Sequence, residues 1–279
     1  MYMNKLPATK RAEILLMLCE GASMRSVARL TDVSINTVSK LLADVGQVCV
    51  RFHDEHVRNV QSRRIQCDEI WSFCYAKKKN VTQEIAEQHP GAGDVWTWTA
   101  LDADSKLVIS WLVGSRDAEA AYTFMQDVAT RVRQRLQLTT DAHRPYLAAV
   151  EDAFGAEIDY AMLQKLYGAD PDSEKRYSPA QCIGCRVETV TGNPDPKHIS
   201  TSYVERQNLT IRMSMRRFTR LTNAFSKKFE NHAYMVALYT GWYNWVRIHK
   251  TLRVTPAMAC GLTDRVWDMT EIVALLDRA

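Results

Sequence analysis

The chain has 279 residues, 46% hydrophobic and 24% charged, a composition that supports a full buried core and excludes a disordered or low-complexity protein. Its net charge of +4 is modest, so a polyanionic partner would have to be recognised through local clustering of charge. No apolar run is long enough to span a bilayer; seven scattered cysteines, an odd number, and the lack of a signal-peptide pattern point to a reducing cytoplasm.

In chain order, the first predicted element is a helix over Thr9 to Glu20, with apolar residues at Ile14, Leu15 and Leu18. The stretch SMRSVARLTDVSINTVSKLL, Ser23 to Leu42, reads as two short helices around Thr31-Asp32-Val33, a helix-turn-helix pattern. Ala28 would pack at the crossing, Asp32 would take the left-handed turn position usually held by glycine, and Val38 and Leu41 would anchor the second helix. Ser34 would cap that helix and leave Asn36, Thr37, Ser39 and Lys40 as DNA contacts; a plain three-helix bundle is the competing reading. Residues from about Val45 to Ser62 are expected to be a linker.

The run RRIQCDEIWSFCYA, Arg63 to Ala76, reads as a strand with Asp68 in its middle. An acid there needs a cation or water, and period-two alternation sends Asp68 and Glu69 to opposite faces, so one of the two would point into a given site. Asp94 to Leu101 and Lys106 to Val113 form two further strands around an Asp102-Ala103-Asp104-Ser105 turn. A helix from about Asp117 to Leu136 follows, then a strand over Leu136 to Thr140. Asp141 ends that strand, before a helix that Pro145 opens. Helix followed by strand implies a crossover and a mixed sheet.

The segment STSYVERQNLTIRMSMRRFTRL, Ser200 to Leu221, reads as one helix. It buries Val204, Ile211, Met215 and Phe218 and presents Glu205, Arg212 and Arg216 on another face. Between Arg206 and Lys228 there are seven basic residues and no acid, a footprint suited to phosphate. Asp68, Asp141 and Glu205 together offer hard oxygen ligands without a histidine or cysteine, which suits magnesium or manganese rather than zinc. Such a set can hold two ions about 3.5–4 Å apart for phosphodiester displacement. Asp141 also reads as a helix or turn cap, and the basic helix as a solvated face.

Four segments, CDEIWSF, LTTDAHRPYLAAVEDAFG, GNPDPKHISTSYVERQNLTIRM and YNWVRIHKTLRVTPAMACGL, resemble in order the motifs of bacterial DDE transposases of the family named after insertion sequence one. The match covers most of Arg63 to Leu262. The resemblance implies an α/β ribonuclease-H-like catalytic domain over residues 63–279; the residues before it read on their own as an all-α helix-turn-helix domain and linker over residues 1–62. It implies the triad Asp68, Asp141 and Glu205 and a divalent-metal requirement, read from the acids as Mg2+ or Mn2+, two ions per site; the basic helix adds Asn208, Arg212, Arg216, Arg217 and Arg220 as candidate DNA contacts. Glu69 and His249 are candidates to support the metal-binding acids from behind, though His249 has an equally good structural reading. Expected partners are inverted-repeat end DNA, target DNA and at least one further copy of the chain, in the cytoplasm with the nucleoid. A structure-selective nuclease of the same fold and an inactive DNA-binding regulator are the alternatives.

The stretch from about Gly168 to His198 reads as an insertion. Its Cys182-Ile183-Gly184-Cys185 has a metal or redox spacing, but a structural zinc needs two more ligands and His198 is the one well-placed candidate, so zinc is not expected. The tryptophans of Tyr234 to Trp245 are read as core. Thr263 to Ala279 is read as an amphipathic helix that packs on its own domain or on a second copy.

Overall fold

The computed structural model describes residues 5–168, 181–219 and 222–278. Strands β1 (Arg64–Cys74), β2 (Gly93–Asp102), β3 (Val108–Gly114), β4 (Gln137–Asp141), β5 (Asp159–Gly168) and β6 (Gln181–Thr191) form one sheet in the order β3-β2-β1-β4-β5-β6. The pair β1/β4 and the pair β4/β5 are parallel and the others antiparallel, so the sheet is mixed, as the predicted crossover requires. The helices are α1 (Ala8–Cys19), α2 (Met24–Thr31), α3 (Ile35–His56), α4 (Gln83–Gln88), α5 (Ala118–Arg131), α6 (Pro145–Phe154), α7 (Ser202–Ser214), α8 (Phe229–Gly241), α9 (Pro256–Ala259) and α10 (Met269–Arg278). None is long and apolar enough to cross a membrane.

Local sequence accounts for several boundaries. Asp117 caps α5 by accepting from Ala120 N–H at 3.0 Å, and Pro145 occupies the first turn of α6. Asp102, 3% exposed, closes the β2–β3 turn by accepting from Ser105 N–H at 2.8 Å and from the Ser62 hydroxyl at 2.5 Å. Between α2 and α3, Asp32 adopts φ 52° and donates its N–H to the Ala28 carbonyl, while Ser34 caps α3 through Thr37 N–H.

Three expectations change. The stretch from Val45 read as linker is helical as far as His56, because α3 is a single helix of 22 residues. Its Val45, Val48, Cys49 and Phe52 are buried, so its later turns are core rather than connection. Second, part of the expected insertion is an ordinary edge strand: β6 pairs antiparallel with β5 over Tyr160 to Gly168, and residues 169–180 lie outside the described residues. Third, the helix of Ser200 to Leu221 stops at Ser214. Met215 and Phe218 belong to the core, and burying both takes Met215 to an extended conformation, φ −116° and ψ 109°, before a short turn over Arg216–Phe218.

Two cores lie on the sheet. One, built from Trp98, Phe124, Val128, Leu138, Tyr146 and Tyr160, packs α5 and α6 against the strands. The other joins α1, α2 and the first half of α3 to α7, α8 and α10: Leu15, Leu42, Val45, Leu238, Tyr239 and Ile272 share it. Gly46 lets α3 approach α8 closely: an added Cβ would lie 2.8 Å from both the Cα and the carbonyl oxygen of Tyr234. The apolar faces of α8 and α10 are thus covered within the chain. The tryptophans of Tyr234 to Trp245 are core, as expected, and Val266, outside α10, is 40% exposed.

Candidate active site

A cleft of about 830 Å³ opens beside the carboxyl end of β4. Asp68, Glu69, Asp141 and Glu205 all line it, with Arg116, His143, Lys165, Asn208 and Arg212. The pairing of β1 with β4 ends at Cys67 and Thr140, so from Asp68 onward β1, still paired to β2 on its other side, has no strand beside it on the β4 side. Residues from both faces of β1 can therefore meet over that open edge. Oxygens of Asp68, Glu69 and Asp141 lie within 4.8 Å of one another, which corrects the expectation that alternation admits one of Asp68 and Glu69 alone.

Each acid is held separately. Asp68 accepts from Asn208 Nδ2 at 2.8 Å and from Glu69 N–H at 2.9 Å. Glu69, whose side chain is fully buried, accepts from the Tyr146 hydroxyl and from Arg116 Nε at 2.9 Å. Asp141 accepts from Arg116 Nη2 at 3.1 Å and from His143 N–H at 3.0 Å. Burial, followed by the charge of Asp141, pushes Asp68 up to about 6 and Glu69 up to about 7. A site that raises the proton affinity of neighbouring carboxylates in this way has an unmet demand for positive charge.

Glu205 reaches the cleft from α7, outside the cluster of the other three acids. Gln66 sets its position. That side chain, 3% exposed and on the same face of β1 as Asp68, accepts from Tyr203 N–H at 2.8 Å and Val204 N–H at 3.1 Å, seating the first turn of α7 on the strand. Glu205 accepts from the Thr201 hydroxyl at 2.6 Å and pairs with the Lys165 ammonium.

The donor set fits a hard divalent cation. The oxygens of Asp68, Glu69 and Asp141 converge, and buried Asn208 directs Nδ2 to Asp68 while its carbonyl oxygen Oδ1 has no hydrogen-bond partner. Among the described residues no other group of three His, Cys, Asp or Glu side chains comes this close, and Cys182 and Cys185 are free and exposed.

The other expected residues separate. Asn208 and Arg212 line the cleft, and Arg216 is exposed beyond the end of α7. Arg217, expected on the DNA face, turns inward: Nη1 donates to Ser226 Oγ at 2.9 Å and the Asn231 carbonyl at 2.5 Å, and burial lowers the guanidinium to about 10. Arg220 lies outside the described residues. His249 does not line the cleft; its Nδ1 meets the Thr251 hydroxyl at 3.1 Å. On α3, Asn36 and Lys40 are exposed and Thr37 and Ser39 half-buried, in the first turns after the Ser34 cap.

Sequence reasoning missed Gln66, Arg116, Tyr146 and Lys165. Gln66 carried a usable signal, since it shares the Asp68 face at a spacing of two. Trp98 and Arg116 act through the fold: Trp98 Nε1 donates to the Ser115 carbonyl at 2.9 Å, and the Arg116 guanidinium lies 4.9 Å from the Trp96 ring centre. No local pattern announces that arrangement.

No protein-family model matches the chain, and no curated protein matches it. Solved structures that align with it include a Mos1 transposase paired-end complex with left transposon end, at 11% identity over 88% of this chain and 80% of that one, TM-score 0.29. A Mos1 mariner paired-end complex with Mn aligns at 12% identity over the same shares, TM-score 0.30. A Mos1 strand transfer complex aligns at 13% identity over 88% and 79%, TM-score 0.25.

Proposed function

We propose that the chain is a DDE transposase with a ribonuclease-H-like catalytic fold, acting on the inverted-repeat ends of a mobile element and joining a freed 3′-hydroxyl to target DNA. One observation carries this reading: Asp68 of β1, Asp141 at the end of β4 and Glu205 of α7, which the sequence motifs single out, line one cleft although 64 or more residues separate each from the next.

In this reading Asp68 and Asp141, with Glu205 and the neighbouring Glu69, hold Mg2+ or Mn2+ as a pair of ions. Bound divalent cations supply charge neutralisation at the phosphodiester and activation of the attacking oxygen. The protein's own part is placement. Gln66 fixes the start of α7, Asn208 orients the Asp68 carboxylate, and Arg116 with Tyr146 fixes Glu69. Arg212 and Arg216 bind backbone phosphates, while Asn36, Thr37, Ser39 and Lys40 of α3, in the segment of residues 1–62, read the end sequence. The working form holds two or more copies, because both ends of an element meet one target, and it works in the cytoplasm on the nucleoid.

The test is a strand-transfer assay with labelled end DNA and Mg2+ or Mn2+. Asp68→Asn, Asp141→Asn and Glu205→Gln should each abolish cleavage and joining while end-DNA binding stays nearly intact. Cleavage within about tenfold of wild type by any one of them removes that residue from the site. Cutting without joining by the wild type would identify a nuclease of the same fold instead.

A further inference from the structure

The acids of the cleft are bracketed by two cations; the functional reading gives Arg116 only the placing of Glu69 and gives Lys165 no part. Arg116 enters from the β2–β3 side, between β3 and α5, and bridges Glu69 and Asp141 at 2.9 and 3.1 Å. Lys165 enters from β5, on the opposite side of β1 and β4, and pairs with Glu205. Both side chains remain partly open to solvent, at 32% and 27% exposure. Arg116 has a further nitrogen, Nη1, without a hydrogen bond among the described residues, and its guanidinium rests over Trp96.

We propose that Arg116 and Lys165 are the phosphate-binding pair of this cleft, tied to the acids while no divalent cation is present and turned to the non-bridging oxygens of a nucleic-acid phosphate once one binds. The inference rests on the functional reading above and adds residues and an order of events to it. A polyanion approaching four carboxylates is repelled, so charge of the opposite sign must face it from within the cleft. A divalent cation bound to the carboxylate oxygens takes the place of the guanidinium and ammonium and repels both outward. The planar fork of Arg116 then suits two phosphate oxygens, and the Lys165 ammonium serves as a point charge on the other flank. Had the two cations served only to hold the acids in place, removing either would weaken metal binding; as competitors for the same oxygens, their removal leaves it unchanged or tightens it.

The experiment uses the full chain with Arg116→Gln and Lys165→Gln, and with Arg116→Lys and Lys165→Arg as charge-keeping partners that guard against a folding defect. Mn2+ affinity without DNA is read by paramagnetic resonance, and affinity for a duplex by fluorescence anisotropy in EDTA and in Ca2+. The expected result is Mn2+ binding equal to or tighter than wild type. Duplex affinity should fall about tenfold in Ca2+ but little in EDTA, the salt slope in Ca2+ should fall by about one for each residue, and the charge-keeping variants should recover much of it. Weaker Mn2+ binding by the glutamine variants, or the same duplex loss in EDTA as in Ca2+, overturns the proposal. Failure of the functional reading looks different: wild-type protein itself would take up no Mn2+ or bind no duplex, and the inference would fall with it.

Discussion

Asp68→Asn separates what the site contributes to function from what it costs the fold. Burial and the neighbouring Asp141 charge raise Asp68 from 3.8 to about 6. At about 1.4 kcal/mol per tenfold change in proton affinity, that is roughly 3 kcal/mol held against the folded state at pH 7 without metal. The sign follows from the direction: a carboxyl raised by folding contributes its full stability below 3.8 and loses it as pH rises towards 6. Asparagine carries no charge to desolvate but has one oxygen for the two donors, Asn208 Nδ2 and Glu69 N–H, that Asp68 now satisfies. Allowing about 1 kcal/mol for the lost bond, the variant should be more stable than wild type by about 1–2 kcal/mol in EDTA at pH 7.5. Urea unfolding with and without Mn2+ measures both sides. Wild type should gain about 2.7 kcal/mol at Mn2+ a hundredfold above its dissociation constant, and the variant little. A variant less stable than wild type in EDTA would show that Asp68 is not held at a cost, and the reasoning about the cleft's charge would be wrong.

Gly46→Ala should lower stability by about 2 kcal/mol or more, read in urea, because the new methyl meets the Tyr234 backbone rather than a side chain that can move away; a neutral effect would mean α3 and α8 are not in close contact. His53 and His232 are buried, and burial lowers them to about 4 and about 3. The unfolded chain binds these protons first, so stability should drop as pH falls below about 6.5, by roughly 2 kcal/mol per histidine at pH 5; His53→Gln should flatten that slope, and an unchanged slope would count against the burial. The carboxyls Asp68 and Glu69 pull the opposite way, so the comparison between wild type and variant, not the raw slope, is decisive. Arg217→Ala should lower the melting temperature and leave the salt slope of DNA binding unchanged, the reverse of Arg216→Ala; a changed slope would restore Arg217 to the DNA face.

What was legible in the sequence was what periodicity and caps encode. Asp32, Ser34, Asp117 and Pro145 mark turns and helix starts by local chemistry, and each does so in the structure. The order of acids on strand, strand end and helix was legible too. What was not legible depends on neighbours distant in the chain. The face alternation of β1 misled about Glu69 because it ignores where β4 stops. The end of α7 at Ser214 follows from core positions for Met215 and Phe218, with no glycine or proline to announce it. Nothing local marks Arg116 and Lys165, which the fold sets against acids 25 to 47 positions away.

The core shared by α1 and α10 has a consequence for how the protein comes into being. The face of α1 that buries Ile14 and Leu15 is covered in part by α10, and Arg11 is tied to Asp277 by two hydrogen bonds of 2.9 Å. α1, made on the ribosome well before α10, therefore lacks part of its packing until α10 has been made. Residues 5–62 thus cannot complete their packing ahead of α10, although domains generally fold as units during synthesis. Nascent chains cut short before α10 should expose Leu15 and Leu18 to chaperones and proteases, so that any DNA-reading surface on α3 becomes stable only together with the completed cleft.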